Sequence, residues 1–260
     1  MVMIEKSTET KQIDRMTVKI FQTNELLGLS AAEDFDKLIS PILAKQGHAA
    51  VIFASANSQL TFFSSLLKRK IEWSKISIFH MDEYLGMTDQ HPASFSRFIR
   101  EKLVNFIQPE AFYPLRGDVQ DVDTELRRYT NLMRKYPPDL SILGVGENGH
   151  LAFNDPPADF KTTKIIHKVK LDLACRKQQV GEGHFRTLDD VPKQALSLTV
   201  PALLAPKHVL AIVPEKRKAE AVKAALKGPV SSQCPASILR TRPNVTMYLD
   251  QDSASLLAAQ

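Results

Sequence analysis

Short apolar runs alternate with amphipathic stretches along most of the chain. The runs that predict strands are TVKIFQT (17–23), AAVIFA (49–54), KISIFHM (75–81), LSILGVG (140–146), KIIHKVKL (164–171), HVLAIVP (208–214) and VTMYLD (245–250). A short, continuous apolar run is typical of a parallel strand that is buried on both faces. Because strands and helices alternate, we expect an α/β fold: a Rossmann-like, mostly parallel sheet with helices on both faces.

The amphipathic stretches predict helices over residues 31–46, 58–67 and 216–227. Ser30 and Glu33 form a capping box before the first of these, and Gly47 ends it. Pro41 lies inside this helix and is expected to kink it. Another helix is predicted from a stripe of apolar residues at helical spacing, which we expect to pack in the core: Phe95, Phe98, Ile99, Leu103, Phe106 and Ile107.

Length and composition are those of a folded protein. The chain has 260 residues, of which 43% are hydrophobic and 24% charged, which excludes the low-hydrophobicity pattern of disorder. No repeat, linker or low-complexity segment divides it. We therefore predict one domain over residues 1–260.

The net charge of +5 does not indicate a nucleic-acid partner, because lysines and arginines alternate with acidic residues and form no long basic block. The excess positive charge would favour encounters with a small anionic substrate. The sequence indicates no oligomeric state, and a homo-oligomer is among the arrangements it allows.

Cysteine usage and the absence of long apolar segments bear on location. Cys175 and Cys234 show no CxxC and no spacing typical of a disulfide framework or a zinc site, so we expect reduced thiols and no metal. The first residues, MVMIEKSTETKQID, become charged after four positions and lack the apolar region of a secretory signal. Nowhere do eighteen consecutive apolar residues occur. These features favour the cytoplasm and exclude a membrane span.

Parallel sheets bind ligands beyond the carboxyl ends of their strands, and three loops at such positions are chemically unusual: ASANSQ, HMDEYLG and GVGENGHLAFNDPP. In the second loop, Asp82 and Glu83 directly follow an apolar strand. Partial desolvation there would raise the proton affinity of a carboxylate, as a general base for a weak carbon acid needs. Alternatively, the two acids cap the next helix.

The third loop combines glycines with a titratable side chain. Gly146 and Gly149 permit backbone conformations that other residues avoid and let a ligand approach closely. His150 is the one group in the loop whose ordinary pKa lies near neutrality, and Asp155 follows in an Asn-Asp-Pro-Pro turn that can bring it back to orient the imidazole. The alternative is a structural histidine.

Gly144, Gly146 and Gly149 satisfy the spacing G-x-G-x-x-G of dinucleotide-binding loops. That motif requires a capped helix directly afterwards, whereas LAFNDPP contains apolar residues and a proline turn. We therefore expect no nicotinamide or flavin cofactor.

Two further segments could bind an anion. Lys218 lies in the first turn of the helix after HVLAIVP, where free amides and the helix dipole favour a phosphate, although a solvated lysine explains it equally well. Ser55, Asn57 and Ser58 could donate hydrogen bonds to a ligand or act as ordinary helix caps.

Taken together, these segments resemble the glucosamine-6-phosphate deaminase/isomerase family, which shares a Rossmann-like fold with 6-phosphogluconolactonases and more distantly resembles ribose-5-phosphate isomerase. The resemblance extends from about Val51 to Leu249. The most specific segments are HMDEYLGM with HPASF, LGVGENGHLAFNDP, VPKQALSLTV, KAEAV with GPV, and PASIL.

The resemblance implies that glucosamine 6-phosphate and water become fructose 6-phosphate and ammonia, without a metal or an organic cofactor. On matching positions, Asp82 would move the C2 proton and His150 would open the pyranose ring. Asp155 stands where the family commonly has glutamate and would orient His150. Lys218 would hold the phosphate.

Besides Asp155, the chain departs from the family pattern at three places. Asn148 stands where many relatives have aspartate, and an asparagine can hydrogen-bond but cannot take a proton. The phosphate loop of the family is usually rich in glycine and threonine, but here it reads ASANSQ. The family's phosphate-binding arginine has no clear counterpart, and Arg176 is the candidate nearest in sequence.

Two other functions fit the same fold. A lactonase would use His150 to activate water, but such relatives typically have arginine directly after Asp-Glu, where Tyr84 stands here. A non-catalytic sugar-phosphate sensor would be expected beside a DNA-binding helix-turn-helix segment, and none is evident.

Overall fold

The computed structural model describes residues 8–257. Its strands are β1 (Glu9–Ile13), β2 (Met16–Phe21), β3 (Ala49–Phe53), β4 (Ile76–His80), β5 (Asp82–Tyr84), β6 (Ala111–Tyr113), β7 (Leu140–Leu143), β8 (Ile166–Lys170), β9 (Gln194–Leu198), β10 (His208–Val213) and β11 (Val245–Asp250). Its helices are α1 (Asn24–Gln46), α2 (Leu60–Leu66), α3 (Phe95–Lys102), α4 (Val122–Lys135), α5 (Leu173–Gly181), α6 (Val200–Leu204) and α7 (Ala219–Lys227). Short 3-10 turns precede α2 and α7.

Eight strands form the main sheet, in the order β1-β2-β11-β10-β7-β3-β4-β6. Every neighbouring pair is parallel except β1 with β2, which is antiparallel at the edge. The strand order changes direction between β3 and β7, which makes this pair the topological switch point of the sheet. The predicted fold class is confirmed.

Apolar side chains cover both faces of the sheet. In β3, Val51 and Phe53 face a cluster that includes Phe35 of α1 and Phe62 of α2. The intervening Ile52 belongs to the opposite cluster, which α4, α6 and α7 help to form. The continuous apolar run of β3 is thus explained by burial on both sides.

A second, three-stranded antiparallel sheet has the order β5-β9-β8. The run at 164–171 therefore does form a strand, but not one of the parallel sheet. From His167 to Lys170, β8 alternates between half-buried and exposed positions, as expected for a strand with one solvated face. This sheet begins directly after β4 and pairs Asp82 with Ser197.

Helix α1 begins earlier than the sequence predicted. Its N-cap is Thr23, whose hydroxyl accepts a hydrogen bond from the amide of Leu26, so the capping box at residue 30 is wrong. Gly28 obscured this first part, because glycine disfavours a helix interior. A Cβ at Gly28 would lie 2.6 Å from the carbonyl carbon of Thr61, so the glycine lets α2 pack closely. The helix end at Gly47 is confirmed.

The apolar stripe that begins at Phe95 is only partly buried. Helix α3 ends at Lys102, and a 3-10 turn follows. That change of pitch removes Phe106 from the stripe, and its side chain is 67% exposed. The prediction that Phe106 packs in the core is wrong.

Within residues 8–257 no helix has the length and apolar character needed to cross a membrane. The apolar start of the chain, Met1–Ile4, lies outside the described residues. Cys175 and Cys234 are both free thiols. The assignment of residues 1–260 to one domain stays a prediction.

Candidate active site

A cavity opens at the carboxyl ends of β3 and β7, at the switch point of the main sheet. It has about 520 Å³ of space including its open mouth. The three loops singled out in the sequence meet here, together with the segment after β10. Its lining residues are Ala54, Ser55, Ala56, Ser58, Met81, Asp82, Phe95, Gly144, Val145, Gly146, His150, Ala152, Phe153, Gln178, Gln179, Glu182 and Lys218.

Asp82 lies at the base of this cavity, on the first residue of β5. Its side chain is nearly buried, and no donor among residues 8–257 hydrogen-bonds its carboxylate. Burial and the neighbouring charge of Glu83 raise the pKa of Asp82 well above its ordinary value. The carboxylate therefore has no hydrogen-bond donor among the described residues and a raised proton affinity, as a proton acceptor needs.

The adjacent Glu83 has a different task. Its carboxylate accepts hydrogen bonds from the Ser94 hydroxyl and from the amides of Tyr84, Phe95 and Ser96. Burial raises the pKa of Glu83 to about 7, although these donors oppose the shift. The two interpretations of this acidic pair thus apply to different residues: Glu83 caps α3, and Asp82 lines the cavity.

His150 and Asp155 form a pair on the cavity wall. The imidazole Nδ1 lies 3.2 Å from Oδ1 of Asp155, although the N–H direction departs from that of a straight hydrogen bond. Burial alone would raise the pKa of Asp155, but the contacts with His150, Asn148 and the amide of Asp172 outweigh it and lower the pKa. Asp155 is therefore an anion that lies beside the imidazole and can orient it.

Asn148 lies behind this pair rather than in the cavity. Its amide nitrogen donates to Asp155 Oδ1 at 3.1 Å, and its carbonyl oxygen accepts from the amide of His150. The same amide nitrogen lies 3.4 Å from the carboxylate of Asp172. The Asn148 side chain therefore links the backbone of His150 to the carboxylate of Asp155.

The two glycines of the loop act in different ways. A Cβ at Gly146 would lie 2.2 Å from Cε1 of His150 and 2.3 Å from its Nε2, so the imidazole packs directly on the Gly146 backbone. Gly149 has φ of +83°, which favours glycine, and it faces Cys234 rather than the cavity. Gly146 is thus a contact surface for the histidine, and Gly149 shapes the turn before it.

Lys218 reaches the cavity from the turn before α7, and its side chain is 5% exposed. Burial lowers its pKa, and the nearby Glu182 partly offsets that effect. Its Nζ lies 3.9 Å from Oε1 of Glu182. The lysine is therefore a buried cation with a carboxylate beside it, not a solvated surface residue.

The serine loop divides into lining and outer residues. Ser55 and Ser58 line the cavity, and the Ser55 hydroxyl is buried without a hydrogen-bond partner among the described residues. Asn57 is not among the lining residues. It belongs to the 3-10 turn that leads into α2, so the structure does not bring it to the site.

Arg176 is not at the cavity either. Its guanidinium donates to the carbonyls of Leu188 and Val191 and so secures the loop before β9. Its suggested role in phosphate binding is contradicted, because both carbonyls lie outside the cavity. Within residues 8–257, no arginine lines the cavity.

Sequence reasoning missed the lining residues that α5 and its C-cap residue, Glu182, supply. Gln178, Gln179 and Glu182 line the cavity, and Gln178 donates to Glu182 while accepting from the amide of Glu147. Gln178 and Glu182 are four positions apart, so both lie on one helix face. This spacing was the sequence signal that could have pointed to them. Only the tertiary structure joins that face to Lys218.

Three donor atoms near His150 could hold a metal ion. One donor atom each of His150, Asp155 and Cys175 lie within 4.8 Å of one another. Imidazole, carboxylate and thiolate are all zinc ligands. Such an ion would occupy the histidine and would therefore compete with any proton transfer by that ring.

Comparison with known proteins agrees with the fold. A model of the family described as glucosamine-6-phosphate isomerases/6-phosphogluconolactonase matches residues 22–248. The glucosamine-6-phosphate deaminase of Bacillus cytotoxicus is 32% identical over 93% of this chain and 89% of its own length. The glucosamine-6-phosphate deaminase of Lactobacillus delbrueckii subsp. bulgaricus is 30% identical over 90% of this chain and 99% of its own length.

Solved structures of this family have the same fold as this chain. A monomeric glucosamine-6-phosphate deaminase superposes with a TM-score of 0.85 at 29% identity, covering 92% of this chain and 99% of its own. The 6-phosphogluconolactonase of Trypanosoma brucei superposes with a TM-score of 0.76 at 15% identity, over 96% of this chain and 100% of its own. At that identity the second likeness concerns the fold alone.

Proposed function

Because the chain belongs to the glucosamine-6-phosphate isomerase/6-phosphogluconolactonase family, we propose that it is a deaminating aldose–ketose isomerase. The reaction converts glucosamine 6-phosphate and water into fructose 6-phosphate and ammonia, a step in amino-sugar breakdown in the cytoplasm. One observation carries the proposal: an unpaired basic carboxylate, Asp82, and an oriented imidazole, His150, line the same cavity.

His150 acts first, on the closed ring. It takes the proton of the C1 hydroxyl and returns a proton to the ring oxygen as the C1–O bond breaks. This step needs a group that both accepts and donates protons near neutrality, which an imidazole does. Asp155 stabilises the protonated ring, and Asn148 keeps the two together.

Asp82 acts next, on the open chain. Its carboxylate removes the proton at C2 and delivers it to C1, while the C1 oxygen gains a proton and the amino nitrogen loses one, which leaves a hydroxyl at C1 and an imine at C2. Water then adds to the imine carbon and ammonia leaves, so the atoms balance without a metal or an organic cofactor. Among residues 8–257 no donor hydrogen-bonds the Asp82 carboxylate, which supports this role because its oxygens are free to take the incoming proton.

Four further lining residues contact the sugar phosphate. Lys218 offers its ammonium to the phosphate, and Ser55 and Ser58 offer hydroxyl donors to it. Gly146 lets the substrate and the His150 ring lie close to the backbone. Binding at this distant end orients C1 and C2 between the two catalytic groups.

Tyr84 argues against lactone hydrolysis as the main activity. It stands where lactonases typically have an arginine, and it is fully buried. Its hydroxyl donates to Gln179 at 2.6 Å, and its ring packs against Phe95 and Phe153. No cationic group can take this position without rebuilding that cluster.

The proposal is tested by incubating the purified protein with glucosamine 6-phosphate, other hexosamine 6-phosphates, glucose 6-phosphate and 6-phosphogluconolactone. Ammonia, ketose and acid are measured separately. We expect ammonia and ketose in equal amounts from the hexosamine. Efficient acid formation from the lactone without ammonia would replace the proposal with a lactonase, and tight binding without any product would indicate a sensor.

A further inference from the structure

The Lys218 end of the cavity contains a carboxylate that the proposed function does not use. Glu182 lines the cavity, and its side chain is 3% exposed. Its Oε1 lies 3.9 Å from Lys218 Nζ and 2.7 Å from Arg217 Nη1. Burial alone would raise the pKa of Glu182, but contacts with His184, Lys218 and Arg217 outweigh it and lower the pKa to about 2. Glu182 is therefore an anion at neutral pH.

This anion cancels the charge that a phosphate would need. Lys218 is the single cation among the lining residues within 8–257. Arg217 cannot compensate, because it is already bound to Glu215 and Glu182 and lies near Glu147. A phosphate dianion beside Lys218 would also approach Glu182, and like charges at such distances repel strongly in a partly desolvated site.

The other polar groups at this end suit a hydroxyl. Ser55 and Ser58 carry hydroxyls, and Gln178 fixes one oxygen of Glu182. A sugar hydroxyl can donate to the carboxylate and accept from the ammonium at the same time, so it satisfies both members of the pair. A phosphate can accept from Lys218 and the serines but offers the ionised Glu182 nothing in return.

We propose that Glu182 is a specificity-determining residue of this pocket: it disfavours a phosphate dianion and lets the site accept amino sugars whose far end carries a free hydroxyl. The inference rests on the proposed function for the reaction itself and names the substrate class. The phosphorylated hexosamine is then a substrate whose phosphate must lie beside the ionised Glu182 when it reaches Lys218.

The test compares Glu182→Gln with the unmodified protein on glucosamine 6-phosphate and on glucosamine, with ammonia release as the readout. The measured quantity is the ratio of kcat/KM for the two substrates. In the unmodified protein we expect this ratio to stay below about 10, and the variant should raise it at least about tenfold, through a lower KM for the phosphorylated sugar. Glu147→Gln is the matched control, because it removes another carboxylate near Arg217 that lies outside the cavity.

An unchanged or smaller ratio in folded Glu182→Gln would overturn the proposal, and so would a large preference for the phosphorylated sugar in the unmodified protein. Thermal unfolding shows whether the variant is folded. If neither sugar releases ammonia, the proposed function fails, and calorimetric titration with inorganic phosphate tests Glu182 separately. Tighter phosphate binding by Glu182→Gln would then support the proposal, and equal binding would overturn it.

Discussion

Gly146→Ala should inactivate the enzyme by displacing His150 without removing any catalytic group. The added Cβ would lie 2.2 to 2.4 Å from three ring atoms of His150, whereas ordinary contacts begin near 3.4 Å. The ring must therefore move by about 1.2 Å. A misplacement of about 1 Å in a catalytic group costs roughly a hundredfold in rate, or about 2.7 kcal/mol of transition-state stabilisation.

The assay is steady-state ammonia release from the hexosamine phosphate, with thermal unfolding to verify the fold. Gly144→Ala is the comparison, since its Cβ would meet Gln59 and Ser58 at 3.5 and 3.7 Å, which are ordinary contacts. We expect it to lose less than about tenfold, because the imidazole stays in place. Gly146→Ala should also add little to the defect of His150→Ala, because both act through one group.

Two results would refute this reasoning. If folded Gly146→Ala keeps activity within a few-fold of the unmodified protein, the position of the ring on Gly146 is not needed for turnover. If its loss adds in full to that of His150→Ala, the glycine acts through the substrate rather than through the histidine.

Three further predictions concern the groups around the cavity. Asp82→Asn should lower kcat/KM by about 10² to 10⁴. It should also stop exchange of the C2 hydrogen with solvent deuterium, as followed by NMR, while product still binds. Continued exchange would show that Asp82 does not move the C2 proton. Because the pKa of Asp82 is raised, kcat/KM should fall with decreasing pH well above the ordinary range of aspartate. Glu83→Gln removes a neighbouring charge and should shift this fall in kcat/KM to lower pH. If the pH at which kcat/KM falls does not change, the assignment of that fall to Asp82 is contradicted. Zinc should inhibit by binding His150, Asp155 and Cys175, and Cys175→Ser should weaken that inhibition at least about tenfold, whereas equal inhibition would exclude this cluster.

The strand-end rule located most of the candidate site because the relevant signals are local. Asp82 directly follows an apolar run, and His150 stands in a glycine-rich loop, so both could be assigned to the carboxyl ends of strands of one parallel sheet. Their presence in one cavity agrees with that expectation. The sequence could not separate the tasks of Asp82 and Glu83, since that depends on which side chain the amides at the start of α3 contact.

Features that depend on tertiary contacts were not predictable in the same way. Glu182 lies 3.9 Å from Lys218, although thirty-six positions separate them in the chain. Strand β1 has a polar sequence, because it lies at the sheet edge and buries little surface. Arg176 and Asn57 are close in sequence to lining residues, but the Arg176 guanidinium binds two carbonyls outside the cavity and Asn57 lies in the turn that leads into α2, which residue type alone does not reveal.

The small antiparallel sheet explains how two distant loops are held in one geometry. Asp82 pairs with Ser197 across β5 and β9. The Ser197 hydroxyl accepts hydrogen bonds from the amide of Phe153 and from the side chain of Asn154, which also donates to the carbonyls of Leu151 and Leu198. Strand β9 therefore contacts β5, which carries Asp82, on one side and the loop that carries His150 on the other. Because backbone pairing fixes the first contact and buried hydrogen bonds fix the second, the relative position of Asp82 and His150 is set by β9 and not by the loops themselves.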